Sequence, residues 1–196
     1  MTTQLRPATA EDAPAIARIY VPFVENTVIS FETEPPTDAE IATRITRKTE
    51  RYPWLVAVRE DVVGYAYAGS HRSREAYQWS VDVSVYVDPD HHRRGIARAL
   101  YTALFAVLRE QGFLNAYAGI ALPNQASTEF HELMGFEEVG TYHDVGYKSG
   151  DWHDVRWYEK QLDERPAEPE EPTGLPDLDP RTVERALDAS ESYGRL

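Results

Sequence analysis

The stretch Val85-Tyr-Val-Asp-Pro-Asp-His-His-Arg-Arg-Gly-Ile-Ala-Arg-Ala-Leu100 carries the most telling chemistry of this chain. It reads as a β-strand, a short turn and the start of an amphipathic helix, with Gly95 at the turn and Arg93, Arg94 and Arg98 around it. The first turn of a helix leaves N–H groups without intrahelical partners, and the helix dipole adds partial positive charge, so an anion is stabilised there. Gly95 has no Cβ to hold the backbone away from that anion. A diphosphate is the natural occupant. The stretch matches neither well-known phosphate loop: it lacks Gly-x-x-x-x-Gly-Lys-Ser/Thr and the three-glycine dinucleotide fingerprint. Taken alone, one glycine among arginines fits a basic helix start beside a surface loop equally well.

Other polar groups flank this stretch. Alternate residues of a strand share a face, so Asp82, Ser84 and Tyr86 form a polar line leading toward the turn. His131 contributes an imidazole able to give or take a proton, or to order a water. His71, His91, His92, His143 and His153 show no metal-ligand spacing, since His91 and His92 are adjacent and neither has a partner four residues on. No metal is expected. The chain has no cysteine, which excludes disulfides, thiolate metal sites and a cysteine nucleophile.

These residues need elements to position them. Thr9-Ala-Glu-Asp12 and Thr37-Asp-Ala-Glu40 are capping boxes that open two helices, the second stopped at Tyr52-Pro53. Trp54 to Val58 and Val62 to Tyr67 read as a hairpin, and Tyr77 to Val87 as a third β run. Arg94 to Gln111 places Ile96, Leu100, Leu104 and Leu108 on one helical face and ends at Gly112. Leu114 to Leu122 follows as a strand, Ala126 to Met134 as a short helix, and Glu137 to Tyr147 with Val155 to Gln161 as a final hairpin. With Leu5 on a first strand, this order predicts an α/β sheet with helices on both faces.

The 196 residues suit one domain over 1–162 followed by an acidic, proline-rich tail over 163–196. That tail has 10 acidic and 4 basic residues, so it holds −6 of the net charge of −13, and it cannot support a core of its own. It is expected to be largely disordered, with a short helix over Pro180 to Ser190 as the alternative. The negative charge argues against nucleic acid or an anionic membrane as partner. The N-terminus has no basic segment followed by an apolar one, so a soluble cytoplasmic protein is expected. Of the 20 basic residues, only Lys48, Lys148 and Lys160 are lysines. That bias fits a salt-loving host and a high-GC genome alike.

His92-Arg-Arg-Gly-Ile-Ala97 resembles the acetyl-CoA motif of the GCN5-related N-acetyltransferases (GNAT), Arg/Gln-x-x-Gly-x-Gly/Ala, with His92 in place of the usual Gln or Arg. A second family signature is similar to Asn124-Gln-Ala-Ser-Thr-Glu-Phe-His-Glu-Leu-Met-Gly-Phe136. Within the superfamily the chain resembles the phosphinothricin and methionine sulfoximine acetyltransferase group from about Leu5 to Leu162. Ser30-Phe-Glu-Thr-Glu-Pro35, Gly64-Tyr-Ala-Tyr-Ala-Gly69, Trp79, Gln111-Gly-Phe113 and Trp152-His-Asp-Val155 carry the likeness.

The resemblance implies a mixed, mostly antiparallel sheet with splayed central strands, and acetyl-CoA as co-substrate. It places the diphosphate on Arg93, Arg94, Gly95, Ile96, Ala97 and Arg98, the pantetheine arm by Asn124, and the thioester oxygen on a backbone N–H among Val85, Tyr86 and Val87. It aligns Asp82 with a Glu proposed as general base; Asp is one methylene shorter, so a relay through one water is expected. It puts His131 where a proton donor for the thiolate stands. The acceptor set maps to Phe31, Arg72, Arg74, Tyr77 and Tyr86, with Arg72 replacing a usual Lys. Two arginines suit an acceptor bearing anionic or strongly polar groups beside its α-amine. The resemblance further implies a homodimer. Other amines as acceptors (polyamines, aminoglycosides, protein N-termini) or a non-catalytic acetyl-CoA sensor remain as rival readings.

Overall fold

The structure is a computed structural model that describes residues 3–190; the last part of the acidic segment, 191–196, lies outside the described residues. Strand β1 (Gln4–Pro7) is followed by a 3₁₀ turn (Ala10–Asp12), then α1 (Ala13–Asn26) and α2 (Asp38–Thr49). Next come β2 (Trp54–Val58), β3 (Val62–Ser70), β4 (Ser80–Val87), α3 (Ile96–Glu110) and β5 (Asn115–Ala121). Helix α4 (Gln125–Leu133), β6 (Glu137–Lys148), β7 (Asp151–Gln161) and α5 (Pro180–Ser190) complete the chain. The sheet order is β1-β2-β3-β4-β5-β7-β6, antiparallel throughout except for the parallel β4–β5 pair. The mixed sheet expected from the sequence is therefore present.

Both capping boxes form. Asp12 does more than cap: Arg6 donates to both its carboxylate oxygens, at 2.6 and 2.7 Å, and these bonds hold its carboxyl below the usual carboxylate range. One apolar cluster, centred on Leu100, Leu104, Val81 and Phe113, packs α3 against one face of the sheet. The other, with Ile16, Ile19, Ile41, Ile45 and Val56, packs α1 and α2 against the opposite face. Helices thus cover both faces.

Two expectations need correction. Tyr77 is not on a strand: residues Glu75–Tyr77 form a 3₁₀ turn, and β4 starts at Ser80. The aromatic and β-branched residues that suggested one long run split where this turn redirects the chain. The segment after Leu162 is also not the largely disordered tail expected from its composition; over its described part it takes the alternative, a helix over Pro180–Ser190. Trp79 Nε1 donates to Glu170 O at 2.7 Å, and buried Gln111 donates from Nε2 to Arg51 O and Thr173 O at 2.7 and 2.8 Å. Leu187 of α5 then joins the α3-side cluster. The segment builds no core of its own; it borrows that of the body. No helix of the described residues is long and apolar enough to cross a membrane.

Candidate active site

Strands β4 and β5 pair only at Ser80↔Asn115, Val81↔Ala116 and Asp82↔Tyr117. Beyond that point each continues without the other, and a cleft of about 780 Å³ opens between Val83–Val87 and Ala118–Ala121. The direction of the freed backbone groups follows from two bonds. Ser80 O accepts from His71 N on the β3 side, whereas Trp79 O accepts from Leu114 N and Asn115 N on the β5 side. Peptide groups alternate along a strand, so those of Val83, Val85 and Val87 face the cleft. The amides of Val85 and Val87 are therefore donors on an edge that has no strand partner.

The cleft ends at the start of α3. Gly95 stands at the N-cap with φ 74° and ψ 0°, the left-handed conformation that glycine adopts without steric cost. Ala99 N is bonded to Gly95 O at 2.9 Å, the first intrahelical bond, and Ile96 and Ala97 before it line the cleft. Arg93, itself at φ 60°, and Arg98 line the same end. His92 is turned back, its Nε2 lying 2.9 Å from Val87 O, and Arg94 lies outside the cleft wall. Asn124 lines the opposite side, where its Oδ1 caps α4 by accepting from Ser127 N at 3.2 Å; its amide N–H groups are left to serve a ligand.

His131 is buried on α4. Its Nδ1 lies 2.7 Å from Ser127 O, a carbonyl that can only accept, so Nδ1 carries the proton. Nε2 is then the acceptor for the Tyr101 hydroxyl at 3.2 Å. Burial pushes the His131 pKa down and that of Tyr101 up, so both groups are neutral at neutral pH. Tyr101 has no counterpart among the residues singled out by sequence. Its only signal is a polar-tipped aromatic among the buried positions of α3.

The other face of β4 carries Asp82, Ser84 and Tyr86, as alternation predicts. Tyr86 packs edge-on to Tyr20 and Phe23 and stacks on Tyr65, with centroids 5.1 to 5.3 Å apart. Asp82 Oδ1 lies 2.6 Å from His71 Nδ1. Burial raises the Asp82 pKa, and His71, Arg72 and Lys48 act against that rise. His71 is the second group that sequence reasoning passed over, because it was weighed only as a metal ligand. The β3–β4 pairing of Ser70 with Val81 and Gly69 with Asp82 is the signal that brings it there.

Of the acceptor set, Arg72 lies over the Trp157 ring at 5.7 Å and Tyr77 meets His71 edge-on at 6.1 Å. Phe31 packs on His153 at 6.3 Å, under the β6–β7 hairpin, where a Cβ on Gly146 would collide with its ring. Lys148 fixes that arrangement by donating to Val24 O and Ser30 O at 2.6 and 2.7 Å. Arg74 is exposed at the 3₁₀ turn. Phe31, Arg72, Arg74, Tyr77 and Asp82 lie outside the wall of the β4–β5 cleft. Among the described residues no three His, Asp or Glu side chains come together as metal ligands.

The pattern of the acetyltransferase (GNAT) domain family matches residues 5–157. The chain belongs to the GNAT family. This GNAT chain is 43% identical over 167 residues to the phosphinothricin N-acetyltransferase of Streptomyces viridochromogenes, covering 85% of this chain and 91% of that one. It is 35% identical over 165 residues to the L-methionine sulfoximine/L-methionine sulfone acetyltransferase of Salmonella typhimurium, covering 83% and 96%. A crystal structure of a GNAT phosphinothricin acetyltransferase from Sinorhizobium meliloti in complex with acetyl-CoA superposes with a TM-score of 0.81 at 37% identity, covering 90% of this chain and 97% of that one. The chain is thus a GNAT acetyltransferase, with acetyl-CoA as its co-substrate.

Proposed function

We propose that this acetyltransferase moves the acetyl group of acetyl-CoA to the α-amine of a small amino-acid analogue of the phosphinothricin or methionine sulfoximine type, by direct attack in a ternary complex. The open edge of β4 carries this reading: its free amides face a cleft that runs to an anion-binding helix start. The diphosphate fits the backbone at Gly95, Ile96 and Ala97 with Arg93 and Arg98 beside it, while Arg94 adds charge at the rim. Asn124 offers its amide to the pantetheine arm, and the Val85 N–H, supported by its neighbours Tyr86 and Val87, offers a hydrogen bond to the thioester oxygen.

The acceptor arrives as an ammonium and gives one proton to Asp82, directly or through one water. The amine nitrogen then attacks the carbonyl carbon, the C–N bond forms, and the C–S bond breaks. The second amine proton goes to the departing thiolate, relayed through the Tyr101 hydroxyl that His131 Nε2 holds. One proton is released to solvent for each acetyl group transferred.

Arg72 and Arg74 supply two cations for the acceptor's carboxylate and phosphinate or sulfoximine groups, with Phe31, Tyr77 and Tyr86 as aromatic walls. A charge-assisted hydrogen bond is worth about 1.5–3 kcal/mol. The Arg72→Glu/Arg74→Glu variant should therefore raise the KM for phosphinothricin more than about tenfold and leave that for acetyl-CoA unchanged. Steady-state kinetics checks this; a variant that keeps its phosphinothricin KM, or acetylates polyamines better than the parent chain acetylates phosphinothricin, contradicts the acceptor assignment.

The homodimer is part of the same proposal. Strand β6 ends the sheet order, and Val139, Tyr142, Val145, Tyr147 and Trp152 of the β6–β7 hairpin are each at least half exposed. An uncovered edge strand bearing apolar side chains is a surface for self-pairing. Sedimentation should give twice the 22.3 kDa chain mass, and a Tyr147→Glu/Trp152→Glu variant should sediment as one chain. A parent chain that sediments as a monomer at micromolar concentration contradicts it.

A further inference from the structure

We infer that the proton acceptor is a His71–Asp82 pair, in which His71 Nε2 takes the proton from the acceptor amine and Asp82 orients the ring and balances its charge. The inference deepens the proposed function and rests on its placing the amine's deprotonation at Asp82, with His71 now the proton carrier and Asp82 its partner.

The pair sits where the sheet divides. Asp82 and Tyr117 are the last partners of β4 and β5, and the cleft begins at the next residue of each strand. The His71 ring stacks on Tyr117 at 4.2 Å and meets Tyr77 and Trp157 edge-on, each at 6.1 Å. Aromatic rings on three sides fix its orientation. Arg72, the next residue, donates to His71 O at 2.8 Å, so the acceptor-binding loop is tied to the histidine.

The chemistry follows from the 2.6 Å contact between His71 Nδ1 and Asp82 Oδ1. A carboxylate can only accept, so the neutral imidazole carries its proton on Nδ1 and its lone pair on Nε2. Among the described residues Nε2 has no hydrogen-bond partner, while the His71 side chain keeps 12% of its exposure. This is the geometry in which an oriented imidazole serves as base and a carboxylate stabilises the imidazolium that forms. It also accounts for the short side chain at position 82. An aspartate ends one methylene before a glutamate would, and the ring carries the basic atom onward. Lys48 and Arg72 favour the charged form of Asp82 against the effect of burial.

The base step leaves the overall balance unchanged: Nε2 takes one proton from the ammonium and passes it to water, and the second amine proton still goes to the thiolate.

Two variants of the full chain test the pair, both assayed with acetyl-CoA and phosphinothricin. His71→Phe keeps a ring against Tyr117 but removes both nitrogens. Its kcat should fall about 100-fold, within the range for a lost general base, with both KM values within about threefold of the parent. Adding Asp82→Glu to His71→Phe lengthens the carboxylate and should restore kcat to within about tenfold of the parent. A purely structural role for His71 would give no such recovery. The inference is overturned if His71→Phe keeps the parent kcat, or if the double variant stays as slow as His71→Phe while binding acetyl-CoA with parental affinity. With His71→Phe unaffected, a slow Asp82→Ala would leave the proposed function standing, whereas an unaffected Asp82→Ala would remove its base assignment as well.

Discussion

Replacing Gly95 by glutamate should lower the affinity for acetyl-CoA roughly 1,000-fold. Position 95 holds φ 74°, which costs a residue with a Cβ about 1–2 kcal/mol. The new carboxylate would also stand against the diphosphate; two unit charges about 5 Å apart at an effective dielectric constant near 20 repel by roughly 3 kcal/mol. Gly95→Ala separates the two contributions, because it carries the backbone cost without the charge and should lose no more than about 30-fold. Calorimetric titration of both variants, with circular dichroism to confirm folding, reads the difference. Equal affinities for the glutamate variant and the parent chain would mean that the diphosphate binds elsewhere.

The second large effect is expected at Asp82. Asp82→Ala should reduce kcat by about 10²- to 10³-fold, within the range for loss of general-base catalysis, whether Asp82 takes the proton itself or orients His71, and leave the acetyl-CoA affinity unchanged. The sign of its pH dependence follows from the reaction. Without an oriented base, since Asp82 no longer holds the His71 ring, only acceptor molecules that are already neutral attack, so the rate of the variant should climb about tenfold per pH unit until the acceptor's own pKa is reached. The deficit relative to the parent therefore shrinks as pH rises. A variant within about threefold of the parent at neutral pH would exclude Asp82 from proton transfer.

The local structure proposed to hold the coenzyme was legible in the sequence because it is contiguous along the chain. A strand, a glycine and a helix start are contiguous, and Val85, Gly95 and Ala97 can be placed from that order alone. The open β4 edge was implied only by resemblance, since strand separation depends on how many residues of β4 pair with β5, and no local pattern encodes that number. The His71–Asp82 contact was missed for the same reason. It joins residues 11 apart across a connection whose 3₁₀ turn at Glu75–Tyr77 was hidden inside an apparently continuous β run. Tyr101 and His131 are 30 apart and meet only when α4 packs on α3. The segment after Leu162 shows the limit of composition as a guide. Its acidic and proline residues do exclude an independent core, but Leu187 and the backbone of Glu170 and Thr173 find partners on the body that composition alone does not reveal.

The most direct test follows acetyl transfer itself. Purified protein would be supplied with acetyl-CoA and either phosphinothricin or methionine sulfoximine, while free thiol is measured and the acceptor is analysed by mass spectrometry. One thiol should appear for each N-acetylated acceptor, and none without an acceptor. Absence of acetylated product from both compounds and from a panel of free amino acids, under conditions where acetyl-CoA binds, would contradict the account.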